Sequence, residues 1–389
     1  MHTIKTYNKI AASGLEILAG KGYTVDENAA DAQGIILRSH KLQPEEITTS
    51  VLGIARAGAG YNNVPVDHCS EHGIVVFNTP GANANGVKEL VIAGMLLSSR
   101  QVYPALAWAQ SIKDQGEDVP KMIEKEKSRF AGPEIAGKTL GIIGLGAIGV
   151  LVANSAIALG MRVIGYDPFL SVESAWGMSA AVEKATNPDQ VYQQADYLTI
   201  HVPQNDKTKG MINAEVLAKM KDDARILNFA RGGLVDNAAV LAALDAGTLG
   251  AYVTDFPDAS LLGRDDVIAI PHLGASTPES EENCAIMAAN QLDEFLTRGN
   301  IINSVNFPAC SMPMTTGFRL TVSNRNVPKM VGQITTVLAD AGINIEDMMN
   351  RHRDELAYNI IDVDGPVSDS VVTSLQAIDG VIAVRVISS

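Results

Sequence analysis

Apolar and polar runs alternate along the middle of the chain in a way that predicts strands and helices in turn. Between residues 139 and 272, short runs rich in Val, Ile and Leu are separated by segments with helical spacing. The predicted strands are residues 139–143, "MRVIGYDP", "DYLTIHVP", "ARILNFA", "AYVTDFP" and "VIAIPH", and the helix after the first strand is predicted over about 147–160. This alternation predicts an α/β fold with a doubly wound parallel sheet, whose ligand site lies at the carboxyl ends of the strands.

The pattern restarts after a segment near 307–316 that is punctuated by prolines. The runs "FRLTVSN", "MVGQITTVLADAG", "INIEDMMNRHRD", "LAYNIIDVD", "SDSVVTSLQAIDG" and "VIAVRVIS" predict a small βαββαβ unit. We expect it to form a domain over residues 316–389, separate from the α/β core.

Length, charge and cysteine content narrow the class of protein. The chain has 389 residues, which is too long for one hydrophobic core, so two or three domains are expected. Its net charge of −14 argues against nucleic acid as a partner, because a phosphate-binding surface carries clustered positive charge. Three cysteines form no disulfide framework, and the first residues lack the apolar run of a signal peptide. We therefore predict a cytoplasmic protein with neither nucleic acid nor a membrane as partner.

A glycine-rich turn follows the strand at 139–143. The sequence "GLGAIG" places three glycines in a G-x-G-x-x-G pattern, for the tight turn, the approach of a pyrophosphate and helix–strand packing. The next strand ends in an aspartate, whose carboxylate can accept the ribose hydroxyls of NAD and would repel the 2′-phosphate of NADP. The residues predicted to bind NAD in this segment are Gly144, Gly146, Ala147, Ile148, Gly149 and Asp167.

Two further strand ends offer side chains suited to hydride transfer. Arg231 follows one strand in "ILNFARGGLVD", and His272 follows another in "IAIPHLGAST". Oxidation of an alcohol carbon needs a base for the hydroxyl proton, and histidine serves near neutral pH. A guanidinium can hold a substrate carboxylate with two hydrogen bonds.

The segments "GKTLGIIGLGAIG", "NFARGGLVD" and "PHLGAST" resemble, in order and spacing, the three signatures of the D-isomer-specific 2-hydroxyacid dehydrogenases. The resemblance implies a Rossmann-type cofactor domain (99–280) inserted into a flavodoxin-like substrate domain (1–98 and 281–310). It also implies that Arg231 binds substrate and that His272, which also contacts the substrate, is the acid/base. Further cofactor contacts implied by the resemblance are His201, Pro203, Phe229, Ala230, Asp255, Gly274 and Ala275.

The chain departs from the family at the acid that pairs with the histidine. The family pattern is Asp-Val-Phe, with a Glu three residues after the Phe, whereas this chain reads "VTDFPDASLLG". Alignment on Phe256 puts Thr254 at the Asp position and Ala259 at the Glu position. We predict that Asp258 pairs with His272 as the third catalytic residue and stabilises the imidazolium.

The N-terminal region carries candidates for binding the substrate. Arg56 stands in "RAGAGYNN", similar to a motif of the family members that act on 3-phosphoglycerate, in which an arginine contacts the substrate phosphate. Asn78 in "NTPG" and Lys88 in "GVKEL" are further candidates. The H-x-x-E-H spacing at 68–72 is interpreted as a polar helix end, and no metal is predicted.

The C-terminal unit resembles an ACT domain, a regulatory module that pairs side by side and binds amino acids. The predicted effector contacts, for L-serine, are Asn324, Asn326 and Asn344, although serine-sensitive relatives usually have His at the first position. They also usually have Pro-Gly where this chain has Pro328-Lys329. The family implies a homodimer through the cofactor domain, or a homotetramer if the ACT-like domains pair as well.

The function expected from this resemblance is NAD-dependent oxidation of 3-phospho-D-glycerate to 3-phosphooxypyruvate, the entry to serine biosynthesis. Two alternatives stay open at this point. One is another D-2-hydroxyacid dehydrogenase, acting on glycerate or hydroxypyruvate. The other is a non-enzymatic NAD(H)-sensing binding protein on the same fold, for which the absence of a Glu at position 259 is the only feature.

Overall fold

The protein is described by a computed structural model, in which residues 2–388 are placed. The chain forms two compact units, one made of Met1–Asn83 with Pro278–Ser389 and the other of Ala84–Thr277. The first unit begins with a parallel sheet in the order β2-β1-β3-β4-β5, which is the flavodoxin-like arrangement. Its elements are β1 (Thr3–Tyr7), α1 (Ala12–Gly20), β2 (Thr24–Val25), β3 (Gly34–Leu37), β4 (Gly53–Arg56), α2 (Val66–Glu71) and β5 (Val75–Phe77).

The second unit is built on a seven-stranded parallel sheet in the order β12-β11-β10-β9-β6-β7-β8. Its helices and strands are α3 (Ala84–Ser99), α4 (Val102–Ser111), α5 (Val119–Glu126), β6 (Thr139–Ile143), α6 (Ala147–Ala158), β7 (Arg162–Tyr166), α7 (Val172–Gly177), β8 (Glu183–Lys184), α8 (Pro188–Gln194), β9 (Tyr197–Ile200), α9 (Ala214–Leu217), β10 (Ala224–Asn228), α10 (Asn237–Asp245), β11 (Leu249–Thr254) and β12 (Val267–Ala269). The strand order reverses between β6 and β9, so the ligand site of this Rossmann-type sheet is expected at that crevice. The predicted doubly wound sheet is confirmed.

Burial explains why the central strands read as continuous apolar runs. Every residue of β6 and of β9 is buried, because helices cover both faces of a parallel sheet. The helix predicted over 147–160 ends at Ala158, and Gly160 then adopts a positive φ of 80° that reverses the chain toward β7. The polar side chains that matter therefore come after the strands, at their carboxyl ends.

The first unit is completed by residues 278–388. They form α11 (Pro278–Arg298), β13 (Phe318–Arg325), α12 (Met330–Asp340), β14 (Ile345–Arg353), β15 (Leu356–Val363), α13 (Asp369–Gln376) and β16 (Val381–Ser388). The last six elements give the predicted βαββαβ order, with an antiparallel sheet ordered β14-β15-β13-β16. This sheet lies in the same compact unit as the five-stranded sheet, with Tyr358 donating from its hydroxyl to the Gly299 carbonyl and Arg385 to the Phe295 and Leu296 carbonyls.

Within residues 2–388, no single helix is long and apolar enough to cross a bilayer. The helices α3 and α4 reach that length and composition only together, across a bend of 65°.

Candidate active site

The glycine-rich turn between β6 and α6 has the geometry that a dinucleotide needs. Gly144 has φ of 94°, and a Cβ there would lie 2.6 Å from the His201 carbonyl oxygen, where β6 and β9 diverge. A Cβ on Gly149 would lie 2.1 Å from the Gly144 carbonyl oxygen, so only glycine fits. A Cβ on Gly146 would meet nothing within 4 Å, so the space beside this glycine is open to a ligand.

The other groups at this turn fit the same ligand. Ala147 and Ile148 open α6, whose first backbone N–H groups are directed at the space above Gly146 and favour a negative charge. Asp167 follows β7, and its carboxylate accepts hydrogen bonds from the backbone N–H of Leu145 and of Phe169, both at 2.8 Å. These bonds hold an acceptor beside the glycine turn, as NAD specificity requires.

His201 follows β9 at the reversal of strand order. Burial lowers the pKa of its imidazole to about 4, so the ring is neutral at physiological pH. One ring nitrogen lies 3.0 Å from the Thr199 hydroxyl, and the other has no hydrogen-bond partner within residues 2–388. Pro203 is exposed two residues further on.

Two predicted cofactor residues follow β10. Phe229 is only 5% exposed and packs in the apolar core, which leaves its backbone as the part that can reach a ligand. The backbone N–H of Ala230 donates to the Asn228 side chain at 3.2 Å. The local chain direction at this strand end is thereby fixed before Arg231.

Arg231, Asp255 and His272 follow the carboxyl ends of three adjacent strands. Pairing of Asn228 with Thr254 and of Thr254 with Ala269 aligns the ends of β10, β11 and β12. Arg231 is exposed beyond the first of these ends and His272 beyond the last, with the imidazole ring 4.5 Å from the Phe256 ring between centroids. Asp255, which is 1% exposed, lies within electrostatic range of both. The structure thus brings together a cation, a buried acid and an imidazole.

Asp255 is bonded directly to the segment that follows His272. The buried Gly274 donates its backbone N–H to the Asp255 carboxylate at 3.2 Å, and Ala275 follows, partly exposed. The second oxygen of Asp255 has no hydrogen-bond partner in the part of the chain that the structure describes. Burial raises the pKa of Asp255, and the Gly274 N–H and the charges of His272 and Arg231 offset only part of that rise.

Asp258 is used differently from the prediction that it pairs with His272. Its carboxylate accepts from the Asn237 side chain at 2.7 Å and from the Ser260 backbone N–H at 2.9 Å, and it caps a short 3₁₀ turn at 259–261. The bonds from Ser260 and Asn237 lower its pKa. Across residues 2–388, no hydrogen bond or ion pair joins Asp258 to His272.

In the first unit, Arg56 is accompanied by a second arginine that the sequence reasoning missed. The guanidinium of Arg56 donates to the Arg38 carbonyl at 3.0 Å and lies over Gly58, and the side chain of Arg38 forms an ion pair with Glu281 at 2.7 Å. Leu37 pairs with Arg56 in the parallel register, which places Arg38 one residue beyond the end of β3. An arginine directly after an apolar strand was the signal that identified Arg231, and it would also have identified Arg38.

The remaining predicted substrate residues are placed as follows. Asn78 follows β5, and its amide donates to the Ala59 carbonyl at 2.7 Å in the same unit as Arg56. Lys88 lies on α3 in the second unit, with its ammonium 3.7 Å from the Glu89 carboxylate.

Among the predicted effector residues, Asn324 is buried in the C-terminal sheet, where its side chain is hydrogen-bonded within the protein. It is 1% exposed, accepts from the Asn359 amide at 2.8 Å and donates to the Arg325 carbonyl at 2.7 Å. Asn326 and Asn344 are exposed, and their amides donate to the Asp354 carbonyl and to the Glu346 carboxylate. The structure therefore brings two of the three to the surface.

Comparisons with known proteins agree with this geometry. Residues 92–274 match the family described as "D-isomer specific 2-hydroxyacid dehydrogenase, NAD binding domain". The chain is 31% identical to the D-3-phosphoglycerate dehydrogenase of Escherichia coli over 96% of this chain and 94% of that protein. It is 35% identical to the protein of that name from Methanocaldococcus jannaschii, over 85% of this chain and 62% of that relative. The chain thus spans about three fifths of the length of this longer relative.

A solved structure shows the same fold with the cofactor in place. The NAD+-bound 3-phosphoglycerate dehydrogenase of Entamoeba histolytica superposes with a TM-score of 0.61 at 29% identity, covering 78% of this chain and 98% of that one. The expectation of a Rossmann-type NAD-binding domain is confirmed by this match and by the family match. The chain belongs to the D-isomer-specific 2-hydroxyacid dehydrogenase family.

Proposed function

We propose that this protein is an NAD-dependent dehydrogenase that oxidises 3-phospho-D-glycerate to 3-phosphooxypyruvate. The observation that carries the proposal is the grouping of Arg231, Asp255 and His272 at the carboxyl edge of the sheet that also carries the glycine-rich turn. The names of the relatives support the choice of substrate.

The turn at 144–149 and Asp167 would hold NAD, which when bound would supply the acceptor for the hydride from C2 of the substrate. The guanidinium of Arg231 binds the substrate carboxylate through paired charge-assisted hydrogen bonds and fixes C2. His272, with its ring held against Phe256, takes the proton of the C2 hydroxyl as the carbonyl forms. In the reverse direction the same imidazolium returns that proton.

The phosphate is assigned to Arg56 and Arg38. Both follow or end adjacent strands of the first sheet, and the net charge of −14 makes such a local pair of cations the natural place for an anion. Glu281 acts as the counterion of Arg38 when no phosphate is bound.

The first test is oxidation of NADH by the purified protein with 3-phosphooxypyruvate. Removing a hydrogen bond to a charged group costs about 1.5–3 kcal/mol, so Arg56→Ala is expected to raise KM by about 10- to 100-fold. Arg129→Ala, on an exposed helix-end ion pair, is the matched control and leaves KM unchanged. Turnover of hydroxypyruvate with no preference for the phosphorylated substrate contradicts the assignment of substrate and favours a different 2-hydroxy acid.

The second test addresses the base. Loss of a positioned general base typically costs about 10²–10⁴-fold, so His272→Ala is expected to lower kcat by at least about 100-fold while NADH still binds. Activity within a few-fold of wild type rules out His272 as the base. Tight NADH binding by the wild type without turnover of any hydroxy acid supports the NAD(H)-sensing alternative.

Feedback by L-serine is proposed for the C-terminal sheet, through the exposed Asn326 and Asn344 and not through the buried Asn324. Calorimetric titration with serine is expected to give saturable heat that Asn344→Ala removes. Two apolar side chains on α4, Tyr103 and Leu106, are 52% and 58% exposed and support assembly into a homodimer through the second unit. No heat with serine limits the C-terminal sheet to a structural or assembly role.

A further inference from the structure

A cavity of about 660 Å³ lies in the first unit, along one face of α11. The helix contributes residues at positions i, i+3, i+4, i+7, i+8 and i+11, which share that face: Asn283, Ile286, Met287, Asn290, Gln291 and Glu294. The rest of the lining comes from Gly81 and Ala82, after β5, and from Ile302 and Asn303, after α11. Sites for small molecules typically enclose about 300–1,000 Å³, so this cavity has the size of a ligand site.

The side chain of Gln291 is buried in this lining without hydrogen bonds. It is 5% exposed, and neither its amide nitrogen nor its amide oxygen has a hydrogen-bond partner within residues 2–388. A buried polar group without a partner is unfavourable, and Gln291 has two of them. Gln33, in the same unit, shows the ordinary arrangement, since its amide accepts from the Thr3 N–H at 2.9 Å and donates to the Asp31 carbonyl at 2.8 Å. Packing alone therefore does not explain an amide at position 291.

The amide of Gln291 can pair with a group in the cavity. Within the described part of the chain no hydrogen bond holds its orientation, and the last side-chain torsion of glutamine has a broad energy profile. The amide presents two N–H donors and a carbonyl acceptor next to each other. A second amide matches both at once, with its carbonyl accepting and its N–H donating. A ligand group that can only accept, such as a carboxylate, leaves the Gln291 oxygen without a donor.

The charge and polarity of the lining select an uncharged ligand. Glu294 is the one ionisable side chain in the lining within residues 2–388, and its carboxylate is paired with Arg298 at 2.7 Å. Over the same residues, the lining holds no lysine, arginine or histidine that could receive a carboxylate or a phosphate. Ile286 and Met287 are partly buried and Ile302 is 43% exposed. Met287 stands one turn before Gln291, so aliphatic surface adjoins the amide.

We propose that this cavity binds an uncharged ligand that carries an amide group beside an aliphatic group, with the ligand amide paired to Gln291. Ile286, Met287 and Ile302 contact the aliphatic group and remove it from water. The proposal does not rest on the dehydrogenase reaction, because among residues 2–388 the lining shares no residue with the proposed catalytic, substrate and cofactor residues. An amide of this kind occurs both in small molecules and in a peptide segment, and the experiments distinguish these two sources.

The first experiment is a calorimetric titration of the purified protein with N-acetyl-L-leucinamide, which carries two amides and an isobutyl group. Saturable binding with a Kd of about 0.1–1 mM is expected for a ligand of this size. N-acetyl-L-leucine, in which a carboxylate replaces the primary amide, is the matched ligand and is expected to bind at least about tenfold more weakly. Absence of saturable binding, or equal affinity for the two compounds, overturns the proposal.

The matched protein variant is Gln291→Met, which keeps the length of the side chain and removes its amide. The affinity for N-acetyl-L-leucinamide is expected to fall by at least about tenfold. The melting temperature without ligand is expected to rise by about 2–4 °C, because an apolar group replaces an unsatisfied amide. Gln193→Met, at an exposed position of α8, is the control and leaves both quantities unchanged. Unchanged affinity in Gln291→Met overturns the proposal, and so does a lowered melting temperature, because the amide is then hydrogen-bonded in the folded protein.

A longer ligand separates the two sources of the amide. The peptide acetyl-Ser-Thr-Leu-Thr-Ser-amide carries the same isobutyl group within an extended chain. An affinity higher than that of N-acetyl-L-leucinamide by about tenfold or more identifies a peptide segment as the ligand, and any smaller difference identifies a small molecule. Either result sustains the proposal, and none of these results requires turnover of 3-phosphooxypyruvate. Displacement of N-acetyl-L-leucinamide by NADH or by 3-phosphooxypyruvate overturns the proposal, because the cavity then belongs to the catalytic site.

Discussion

Asp362 in the C-terminal sheet and Asp255 at the edge of the central sheet are both buried aspartates, and their surroundings act on them in opposite directions. Asp362 is 0% exposed and accepts from the Arg319 guanidinium at 2.6 and 2.9 Å and from the backbone and hydroxyl of Thr315, both at 3.0 Å. Burial alone would raise the pKa of Asp362, but these donors outweigh it and hold that pKa below its ordinary value. Asp255 has one donor, and burial raises its pKa.

The difference separates a structural carboxylate from one available for chemistry. Arg319 also donates to the carbonyls of Arg298, Met312 and Pro313, so the ion pair ties the sheet to the end of α11 and to the linker before β13. Every nitrogen of the Arg319 guanidinium and both oxygens of Asp362 have partners inside the protein. At Asp255 one carboxylate oxygen has no hydrogen-bond partner within residues 2–388, a state that costs stability and that a function at this position can explain.

The largest expected effect is at Asp362. Asp362→Asn leaves the Arg319 charge buried without its counterion, which typically costs about 3–5 kcal/mol of unfolding free energy. Asp347→Asn, on the exposed face of β14, is the control and is expected to change that free energy by less than about 0.5 kcal/mol. Urea unfolding followed by circular dichroism measures both. A loss below about 1 kcal/mol for Asp362→Asn means that the pair is less important than its geometry suggests.

Two glycines of the turn at 144–149 differ in a similar way, because one is packed against the protein and the other faces open space. Gly149→Ala forces a methyl group against the Gly144 carbonyl oxygen, and overpacking of this kind costs about 1–3 kcal/mol of unfolding free energy and disturbs the turn. Gly146→Ala meets nothing, so its melting temperature is expected to match wild type. Its NADH affinity is expected to fall by about tenfold, because the methyl group occupies the path of the pyrophosphate.

Thermal melts and NADH titrations of the two variants test whether Gly149 serves packing and Gly146 serves binding of the cofactor. A lowered melting temperature in Gly146→Ala, or an unchanged one in Gly149→Ala, contradicts the division of roles between these glycines.

The pH dependence of stability sharpens the comparison of the two aspartates. A lowered folded pKa means that the stability contributed by Asp362 is present above its unfolded pKa of about 3.9 and is lost as pH falls through the folded pKa. The advantage of wild type over Asp362→Asn therefore narrows in acid. The raised pKa of Asp255 has the opposite sign, since ionisation above about pH 3.9 costs the folded state free energy.

Asp255→Asn is accordingly expected to gain stability relative to wild type as pH rises from about 4 towards neutrality. Urea titrations at a series of pH values measure the difference. A variant that instead loses stability as pH rises shows that the Asp255 carboxylate is favoured in the folded state.

Sequence rules succeeded where a feature depends on neighbours along the chain. The turn at 144–149 follows from glycine geometry and strand–helix order, and six of the seven strands of the central sheet follow from alternating periodicity, all except the short β8. Sequence rules did not predict features that depend on packing between residues far apart in the chain. The burial of Asn324 comes from its cross-strand partner Asn359, and the pairing of Arg38 with Glu281 joins β3 to α11, far apart in the chain. The capping of the 3₁₀ turn by Asp258 is local, but nothing in "DASL" alone ranks that role above a catalytic one.

The smallest expected effect lies at the turn before α12, where the sequence departs from Pro-Gly. Lys329 adopts φ of 74° and ψ of 0°, a left-handed conformation that costs a non-glycine residue about 1–2 kcal/mol. Lys329→Gly removes that strain but adds about 0.4–1 kcal/mol of chain entropy to the unfolded state, so a net gain of up to about 1 kcal/mol is expected. Lys329→Ala keeps the strain while removing the charge and is the matched control. A gain in Lys329→Ala equal to that in Lys329→Gly assigns the effect to the side chain and not to the backbone. A gain confined to the glycine variant assigns it to the left-handed backbone conformation of Lys329.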